Sequence, residues 1–178
     1  MIPWIDKSID RLSKLGAKHL VIGSGKARNC PEDFPIEKAL EQMVEIIAQI
    51  ADKAKPYGMT VAVEPLQKKE CNIINKVADS CRVAKAANRE NCKGLVDLFH
   101  FVNEEEKLTE LATLVPELGH VHICSAARAM PTFDDCTNYK AFLDTLRENG
   151  YDGTVSFEGR MPKNWDDLRE YFRFIRSL

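Results

Sequence analysis

Hydrophobic positions along the chain follow two alternating patterns, and the first of them is helical. Several segments place apolar side chains three or four residues apart, as an amphipathic helix does. The clearest is a stripe formed by Ile36, Ala39, Leu40, Met43, Ile46, Ile47, Ile50 and Ala54. The predicted helices cover residues 6–15, 36–55, 76–88, 104–114, 138–148 and 165–175. The expected inward-facing residues include Ile5, Ile9, Leu12 and Leu15 in the first helix and Leu168, Phe172 and Ile175 in the last.

The second pattern consists of short apolar runs between these helices, typical of buried parallel strands. The run Val61-Ala62-Val63 leads to Glu64 and then to Pro65. Proline has no N–H to donate and cannot continue a central ladder, so this strand is predicted to stop at Glu64. The predicted strands cover residues 19–22, 61–64, 95–97, 120–123 and 154–158, and residues 91–94 are predicted to form a turn before the third strand.

The alternation of strands with helices favours a parallel α/β sheet with right-handed crossovers. No low-complexity linker interrupts the 178 residues, so we expect a single domain over residues 1–178. A closed (β/α)8 barrel requires eight strands and about 250 residues. The pattern therefore leaves two architectures open, a five-stranded open sheet or the C-terminal part of a barrel.

Composition narrows the class of protein. The chain is 44% apolar and 29% charged, which is typical of a folded globular domain, and its net charge is −2. There is no basic surplus for a nucleic-acid backbone and no apolar run long enough to span a bilayer. The start of the chain lacks a basic segment followed by an apolar one, and the six cysteines form no C-x-x-C pair. We interpret the cysteines as reduced thiols, which predicts a cytoplasmic protein.

Polar residues stand at the carboxyl ends of four predicted strands. They are Glu64, Asp97, His122 and Glu158. The carboxyl ends of parallel strands share one edge, where α/β folds collect their chemistry. Three carboxylates brought together repel one another unless a cation neutralises them. Carboxylates with one imidazole suit Mn²⁺ or Mg²⁺ and are acceptable to Co²⁺ or Zn²⁺, so one divalent metal ion is predicted here.

Other residues near these strand ends have less specific signals. His100 follows Asp97 by three positions, and Arg128 follows His122 by six, so both are candidates to face the same edge. Alternation places His120 on the same side as His122, where packing inside a barrel is an equally good role. The glycine-rich residues 23–28 lack the spacing of a P-loop and of a dinucleotide fingerprint, and so are a weak phosphate-binding motif.

The order and spacing of these motifs resemble one superfamily over nearly the whole chain. This superfamily is that of the xylose isomerase-like TIM barrels. Within it, the chain resembles the sugar phosphate isomerase/epimerase group, which includes ketose 3-epimerases. The chain resembles strands four to eight of that barrel, without strands one to three. The residues that carry the resemblance are Glu64-Pro65-Leu66, Glu70-Cys71-Asn72-Ile73-Ile74-Asn75, Asp97-Leu98-Phe99-His100, His120-Val121-His122 with Arg128, and Phe157-Glu158-Gly159. The loop Gly23-Ser24-Gly25-Lys26-Ala27-Arg28 also resembles members of this group.

The resemblance implies a role for each matching residue. Glu64, Asp97, His122 and Glu158 would bind the metal, and Glu64 and Glu158 would also form the acid/base pair. Glu70, His100 and Arg128 would contact hydroxyl groups of the substrate. The implied reaction is isomerisation or epimerisation of a ketose or its phosphate through an enediolate, in an enzyme that could form homo-oligomers.

Two departures from the family pattern keep alternatives open. Gln67 and Lys68 stand where the 3-epimerases have Asn-Arg, so the sugar is not determined. Without three strands, the chain could instead be an inactive or partner-completed fragment with a structural or binding role. A related class, the endonuclease IV-type phosphodiesterases, needs further histidines and a D-x-H motif, which Asp134-Asp135-Cys136-Thr137 does not supply.

Overall fold

The structure is a computed structural model that describes residues 2–135, 137–162 and 164–178. Strands and helices alternate along it. The strands are β1 (His19–Ile22), β2 (Thr60–Val63), β3 (Cys92–Asp97), β4 (Leu118–Ile123) and β5 (Val155–Phe157). The helices are α1 (Ile2–Lys14), α2 (Gly25–Arg28), α3 (Ile36–Ala54), α4 (Val77–Ala86), α5 (Leu98–Asn103), α6 (Leu108–Leu114), α7 (Tyr139–Glu148) and α8 (Trp165–Ser177).

The five strands form one sheet in chain order, and every neighbouring pair is parallel. The sheet curls into a half-barrel with flanking helices, which confirms the predicted incomplete barrel and decides against a flat open sheet. Parallel pairing places all the carboxyl ends on one edge. Asp97 of β3 and His122 of β4 are direct partners in the ladder.

Alternation of side chains determines what each face of the sheet carries. Val61 and Val63 of β2 pack in the apolar core with helix α3, so Glu64, one residue further, points to the concave face. Val121 and Ile123 of β4 pack in a second apolar core, so His122 between them also faces inward. Side chains on the convex face of the sheet therefore pack in the apolar cores, and the concave face carries the polar side chains of the candidate site.

The prediction of a turn at residues 91–94 is wrong, because β3 begins at Cys92. Gly94 lies inside the strand, where helix α4 passes very close to it. A Cβ atom at position 94 would lie 2.5 Å from the Cys81 sulfur and 3.1 Å from the Ser80 hydroxyl. This glycine thus permits close helix–sheet packing rather than a turn.

The predicted helix over residues 104–114 is also wrong in its first part. The chain forms helix α5 directly after β3, and α6 begins only at Leu108. The Asp97 carboxylate accepts hydrogen bonds from the backbone N–H groups of Phe99 and His100 and so caps α5 at its start. Glu105, with φ of 54°, lies in the loop between the two helices.

Three residues predicted to face inward are exposed: Leu15, Ile36 and Phe172. Leu15 lies beyond the end of α1, beside Gly16 in the left-handed conformation with φ of 74°. In α8 Phe172 is exposed, whereas Tyr171 and Phe174 are buried. The ring of Phe174 packs edge-on against Tyr139, with 5.4 Å between the ring centroids, which selects this face of α8 for the core.

Five of the cysteines are free thiols and buried: Cys30, Cys71, Cys81, Cys92 and Cys124. This agrees with the prediction of reduced thiols, while Cys136 lies outside the described residues. Among the residues that the structure describes, no helix combines the length and apolar character that crossing a bilayer requires.

Candidate metal centre

Four strand-end side chains meet at the carboxyl edge of the sheet: Glu64, Asp97, His122 and Glu158. One nitrogen or oxygen atom from each lies within 4.8 Å of all the others. The Nδ1 atom of His122 is central, at 3.1 Å from a Glu64 oxygen, 3.6 Å from an Asp97 oxygen and 2.9 Å from a Glu158 oxygen. Glu64, Asp97 and His122 are buried, whereas the Glu158 side chain is 55% exposed. The cluster is therefore accessible to solvent on the side of Glu158.

Local structure explains why these side chains converge. The strands bring Asp97 and His122 side by side, and Ser156 of β5 stands opposite His122. Glu158 lies two residues after Ser156 and so returns to the same face of the sheet. Asp97 has two functions, since its Oδ1 atom caps helix α5 while its Oδ2 atom faces His122. The cap fixes the rotamer of a carboxylate that belongs to the cluster.

The electrostatics of the cluster show that it needs a positive charge. Burial alone would lower the pKa of the His122 imidazole, but its hydrogen bonds with Asp97, Glu158 and Glu64 outweigh burial and raise the pKa to about 11. The hydrogen bond from His122 outweighs burial for Glu158 and lowers its pKa to about 2. Burial raises the pKa of Glu64 to about 7, against the effect of its hydrogen bond with His122. In the metal-free protein, a proton on His122 thus supplies the missing cation.

The donor set fits a single divalent ion. Two ligands that each lie about 2.1 Å from one octahedral ion are separated by roughly 3 to 4 Å. The 4.8 Å limit on the ligand atoms is close to this range, so small side-chain shifts suffice to bind an ion. Three carboxylates and one imidazole suit Mn²⁺, Mg²⁺, Co²⁺ or Zn²⁺. Glu64, Asp97, His122 and Glu158 are therefore the residues that would hold the metal.

A second polar group lies beside the cluster and contains Glu70, His100 and Arg128. An Arg128 Nη2 atom donates to the Glu70 carboxylate at 2.7 Å and lies 3.2 Å from the Nε2 atom of His100. The structure thus brings together all three residues for which the resemblance implied substrate contacts. Burial alone would raise the pKa of Glu70, but the Gln67 hydrogen bond and the Arg128 charge hold it below its usual value.

The tautomer of His100 follows from its neighbours. The backbone N–H of Gln67 donates to His100 Nδ1 at 3.1 Å, and burial lowers the pKa of this imidazole. A neutral His100 with Nδ1 as acceptor carries its proton on Nε2. That N–H and the Arg128 guanidinium are then both donors that face one another. An oxygen atom of a ligand would accept from both, so the pair is suited to bind a hydroxyl or carbonyl group.

The backbone of Arg128 is held in a strained conformation. Its φ is 52°, a left-handed value that costs a residue with a side chain on the order of 1 kcal/mol. Hydrogen bonds hold the turn on both sides, from Arg128 N–H to the Ser125 carbonyl and from Arg160 N–H to the Arg128 carbonyl. The guanidinium lies over the ring of Phe99, 4.3 Å from its centroid. The surroundings thus fix both the backbone and the charged group of Arg128.

Sequence reasoning placed some of these residues and missed others. His120 packs on the concave face of the sheet, beside His122, and packing was one of the two roles predicted for it. The centroids of the two rings lie 5.1 Å apart. His19, at the start of β1, stacks on His120 with 4.6 Å between the ring centroids. Phe99 was missed as the support of Arg128, although an aromatic residue two positions after a strand-end acid was a usable signal. Gln67 was seen only as a departure from a family pattern, and it orients His100 and Glu70.

Comparison with known proteins gives consistent results. Residues 2–178 match the family described as "Xylose isomerase-like TIM barrel". The chain is 28% identical to a D-psicose 3-epimerase of Agrobacterium fabrum over 93% of this chain and 61% of the relative. It is 27% identical to a 3-dehydro-D-guloside 4-epimerase of Escherichia coli over 88% of this chain and 62% of the relative. Both relatives are named as epimerases of carbohydrates.

A solved structure shows the same fold. The D-allulose 3-epimerase of Methylomonas sp. superimposes with a TM-score of 0.84 at 21% sequence identity, over 97% of this chain and 67% of that protein. The chain spans about three fifths of the length of the two curated relatives, at 61% and 62%. The chain therefore corresponds to a part of each of those proteins.

Proposed function

Because the chain belongs to the xylose isomerase-like TIM barrel family, we propose that it is a metal-dependent sugar isomerase or epimerase. The substrate is a ketose or a ketose phosphate, and the reaction is proton transfer at the carbon next to the carbonyl. The observation that carries this proposal is the cluster of Glu64, Asp97, His122 and Glu158, whose ligand atoms lie within 4.8 Å of one another. Such a cluster at the carboxyl edge of parallel strands is where barrel enzymes carry their chemistry.

Glu64 and Glu158 are the proposed acid/base pair. A bound divalent ion would supply Lewis-acid polarisation of the substrate carbonyl and stabilise the negative charge of an enediolate. One glutamate removes the carbon-bound proton, and the other returns a proton from the opposite face when the product is an epimer. The two carboxylates approach His122 Nδ1 from the ends of different strands, at 3.1 Å and 2.9 Å, which supports a common location for the acid/base pair beside the metal ligands.

Glu70, His100 and Arg128 are the proposed substrate-binding group. The donors of His100 and Arg128 lie 3.2 Å apart and are available to one oxygen of the sugar. Glu70, which already accepts from Gln67 and Arg128, has further lone pairs for a sugar hydroxyl. Fixed donors and acceptors of this kind orient the reacting carbon toward the acid/base pair.

The test of this proposal is solvent exchange at carbon. The purified chain is incubated in D₂O with D-psicose and Mn²⁺, and deuterium at C3 is followed by NMR. We expect incorporation that requires Mn²⁺ and stops when EDTA removes it. A chain that binds Mn²⁺ but exchanges no carbon-bound hydrogen in a panel of ketoses and ketose phosphates would contradict the proposed reaction.

Metal binding is expected to release protons, with a number that depends on pH. The ion binds deprotonated ligands, and in the metal-free protein His122 has a pKa of about 11 and Glu64 a pKa of about 7. We expect about one proton released per Mn²⁺ at pH 8 and about two at pH 6, with affinity falling as the pH falls. Calorimetric titrations in buffers of different ionisation enthalpy measure these numbers. Binding without proton release would contradict a protonated His122 in the metal-free protein.

The metal and the compartment are further parts of the proposal. We favour Mn²⁺ or Mg²⁺, because three of the four donors are carboxylates, the ligands that hard cations prefer. We place the protein in the cytoplasm, and the five buried free thiols support a reducing compartment. We also propose that the five strands are strands four to eight of an eight-stranded barrel within one domain.

A second candidate function is that of a fragment whose activity depends on another polypeptide. In the part of the chain that the structure describes, β1 and β5 have a neighbouring strand on one side only. Exposed strand edges bind further strands, from another copy or from a different chain. Size-exclusion chromatography with light scattering tests for such assembly. Exchange activity confined to an assembled fraction would favour this candidate, and activity in the monomer would exclude it.

An endonuclease IV-type activity receives less support. That class uses a cluster of zinc ions with several histidines, whereas the cluster described above contains a single histidine. The net charge of −2 also offers no basic surface for a nucleic-acid backbone.

A further inference from the structure

Residues 23–28, the glycine-rich segment after β1, contact the residue that the proposed function uses most. Its residues match a phosphate-binding motif only weakly. In the structure, its second half forms the single-turn helix α2. Its first residue follows Ile22 directly, as Glu64 follows Val63, and Ile22 and Val63 are partners in the ladder of β1 and β2. The segment therefore adjoins the metal cluster from the side of the first strand.

Gly23 leaves the space that the Glu64 carboxylate occupies. A Cβ atom at position 23 would lie 1.7 Å from the Oε2 atom of Glu64 and 2.9 Å from its carboxyl carbon. Any side chain there would force the carboxylate to move. The absence of a side chain at Gly23 is thus a condition for the observed orientation of Glu64.

Arg28 holds the backbone of the same ligand. Its side chain is buried, with one guanidinium nitrogen donating to the Ile22 carbonyl at 3.0 Å and the other to the Glu64 carbonyl at 2.6 Å. These two carbonyl groups lie at the carboxyl ends of β1 and β2, so a single guanidinium connects both strand ends. Burying a charged group is costly, and here its hydrogen bonds go to neutral carbonyl groups instead of a carboxylate.

The segment also supports the loop that carries Glu70. A Cβ atom at Gly25 would lie 2.6 Å from the Glu70 carbonyl oxygen, so only glycine permits this approach. The next residues continue the contact, because the Asn72 side chain accepts from Cys30 N–H at 2.9 Å and Asn72 N–H donates to the Asn29 side chain at 3.1 Å. One segment is therefore packed against both a proposed metal ligand and a proposed substrate-binding residue.

We propose that residues 23–28 are a positioning element for the metal centre, in which Arg28 fixes the Glu64 backbone and Gly23 admits the Glu64 carboxylate. This inference rests on the proposed metal site. Neither residue touches the metal or the substrate, and both act through Glu64. Changing either one alters the orientation of a ligand, and partners behind metal ligands typically contribute 10- to 100-fold to metal affinity.

The test compares Mn²⁺ affinity in three variants, measured from the EPR signal of free Mn²⁺. We expect Arg28→Met to weaken binding by about 10- to 100-fold and Arg28→Lys to recover part of that loss. Lys26→Met is the matched control, since it removes one positive charge from an exposed position in the same segment. It is expected to bind Mn²⁺ as the wild-type chain does.

Gly23→Ala provides an independent second variant, which is also expected to bind Mn²⁺ more weakly. Wild-type affinity in a folded Arg28→Met or Gly23→Ala chain would overturn the inference. Loss of folding in both variants would show that the segment is needed for stability, and it would equally contradict a positioning role.

A metal-free measurement separates this inference from the proposed function. If the wild-type chain binds no Mn²⁺, the proposed function fails, and NMR amide exchange at Glu64 then tests the element by itself. The Glu64 N–H donates to the Ile22 carbonyl, which Arg28 also binds. Faster exchange at Glu64 in Arg28→Met supports the positioning element, and unchanged exchange contradicts it.

Discussion

Replacing Glu158 by glutamine is expected to reduce carbon–hydrogen exchange in a ketose by at least 10²- to 10⁴-fold. Glutamine preserves the shape of the side chain but cannot take up or return a proton. Glu158 is also the most exposed member of the cluster, at 55% for its side chain, so the three buried ligands are expected to retain the ion. Exchange of deuterium into D-psicose at saturating Mn²⁺ measures the effect.

The matched control is Glu148→Gln, which makes the same chemical change at an exposed position near the end of α7. It is expected to exchange at the wild-type rate. A Glu158→Gln chain that binds Mn²⁺ and still exchanges at the wild-type rate would remove Glu158 from the acid/base pair.

The His122→Ala variant is expected to lose Mn²⁺ binding, with a dissociation constant more than about 100-fold weaker than that of the wild type. That is beyond the 10- to 100-fold effect typical of a residue behind a ligand. His122 is the only nitrogen donor of the cluster, and its Nδ1 atom lies 2.9 to 3.6 Å from all three carboxylates. Without it, an ion would lose its central ligand.

His19→Ala serves as the control for this variant. It removes an imidazole that stacks on His120 and is not a member of the metal cluster. It is expected to retain Mn²⁺ affinity. Both variants are compared with the wild type by EPR, and wild-type affinity in His122→Ala would show that the carboxylates alone bind the ion.

The strands could be predicted because each contains apolar residues between two helical segments, most clearly in β2, where the run Val61-Ala62-Val63 ends at Glu64. Predictions failed where the conformation of a residue depends on contacts with other parts of the structure. Gly94 resembles a turn residue in the sequence, and only the passage of α4 over β3 explains it as a strand glycine. Helix α5 was missed because its start depends on the Asp97 side chain, although an aspartate before an apolar run is a known helix-start signal.

The candidate site also contains some residues whose positions could be predicted from the sequence and others whose positions could not. The four residues of the metal cluster stand at strand ends, so a parallel sheet was sufficient to predict their proximity. The support around them was not predictable in this way. Arg28 reaches the Glu64 carbonyl across 36 positions of sequence, and Gln67 reaches His100 across 33. Contacts of this kind depend on how loops pack, which a single sequence with local patterns does not determine.

The most direct test of the central claim is pulsed EPR of Mn²⁺ bound to the wild-type chain. The account places His122 and three carboxylates around one ion, so it predicts a single bound Mn²⁺ per chain with nuclear coupling from one imidazole nitrogen. In protein labelled with ¹⁵N-histidine, that ¹⁴N coupling is expected to be replaced by coupling to ¹⁵N. Bound Mn²⁺ without any histidine nitrogen coupling, or no binding of Mn²⁺ at all, would contradict the account.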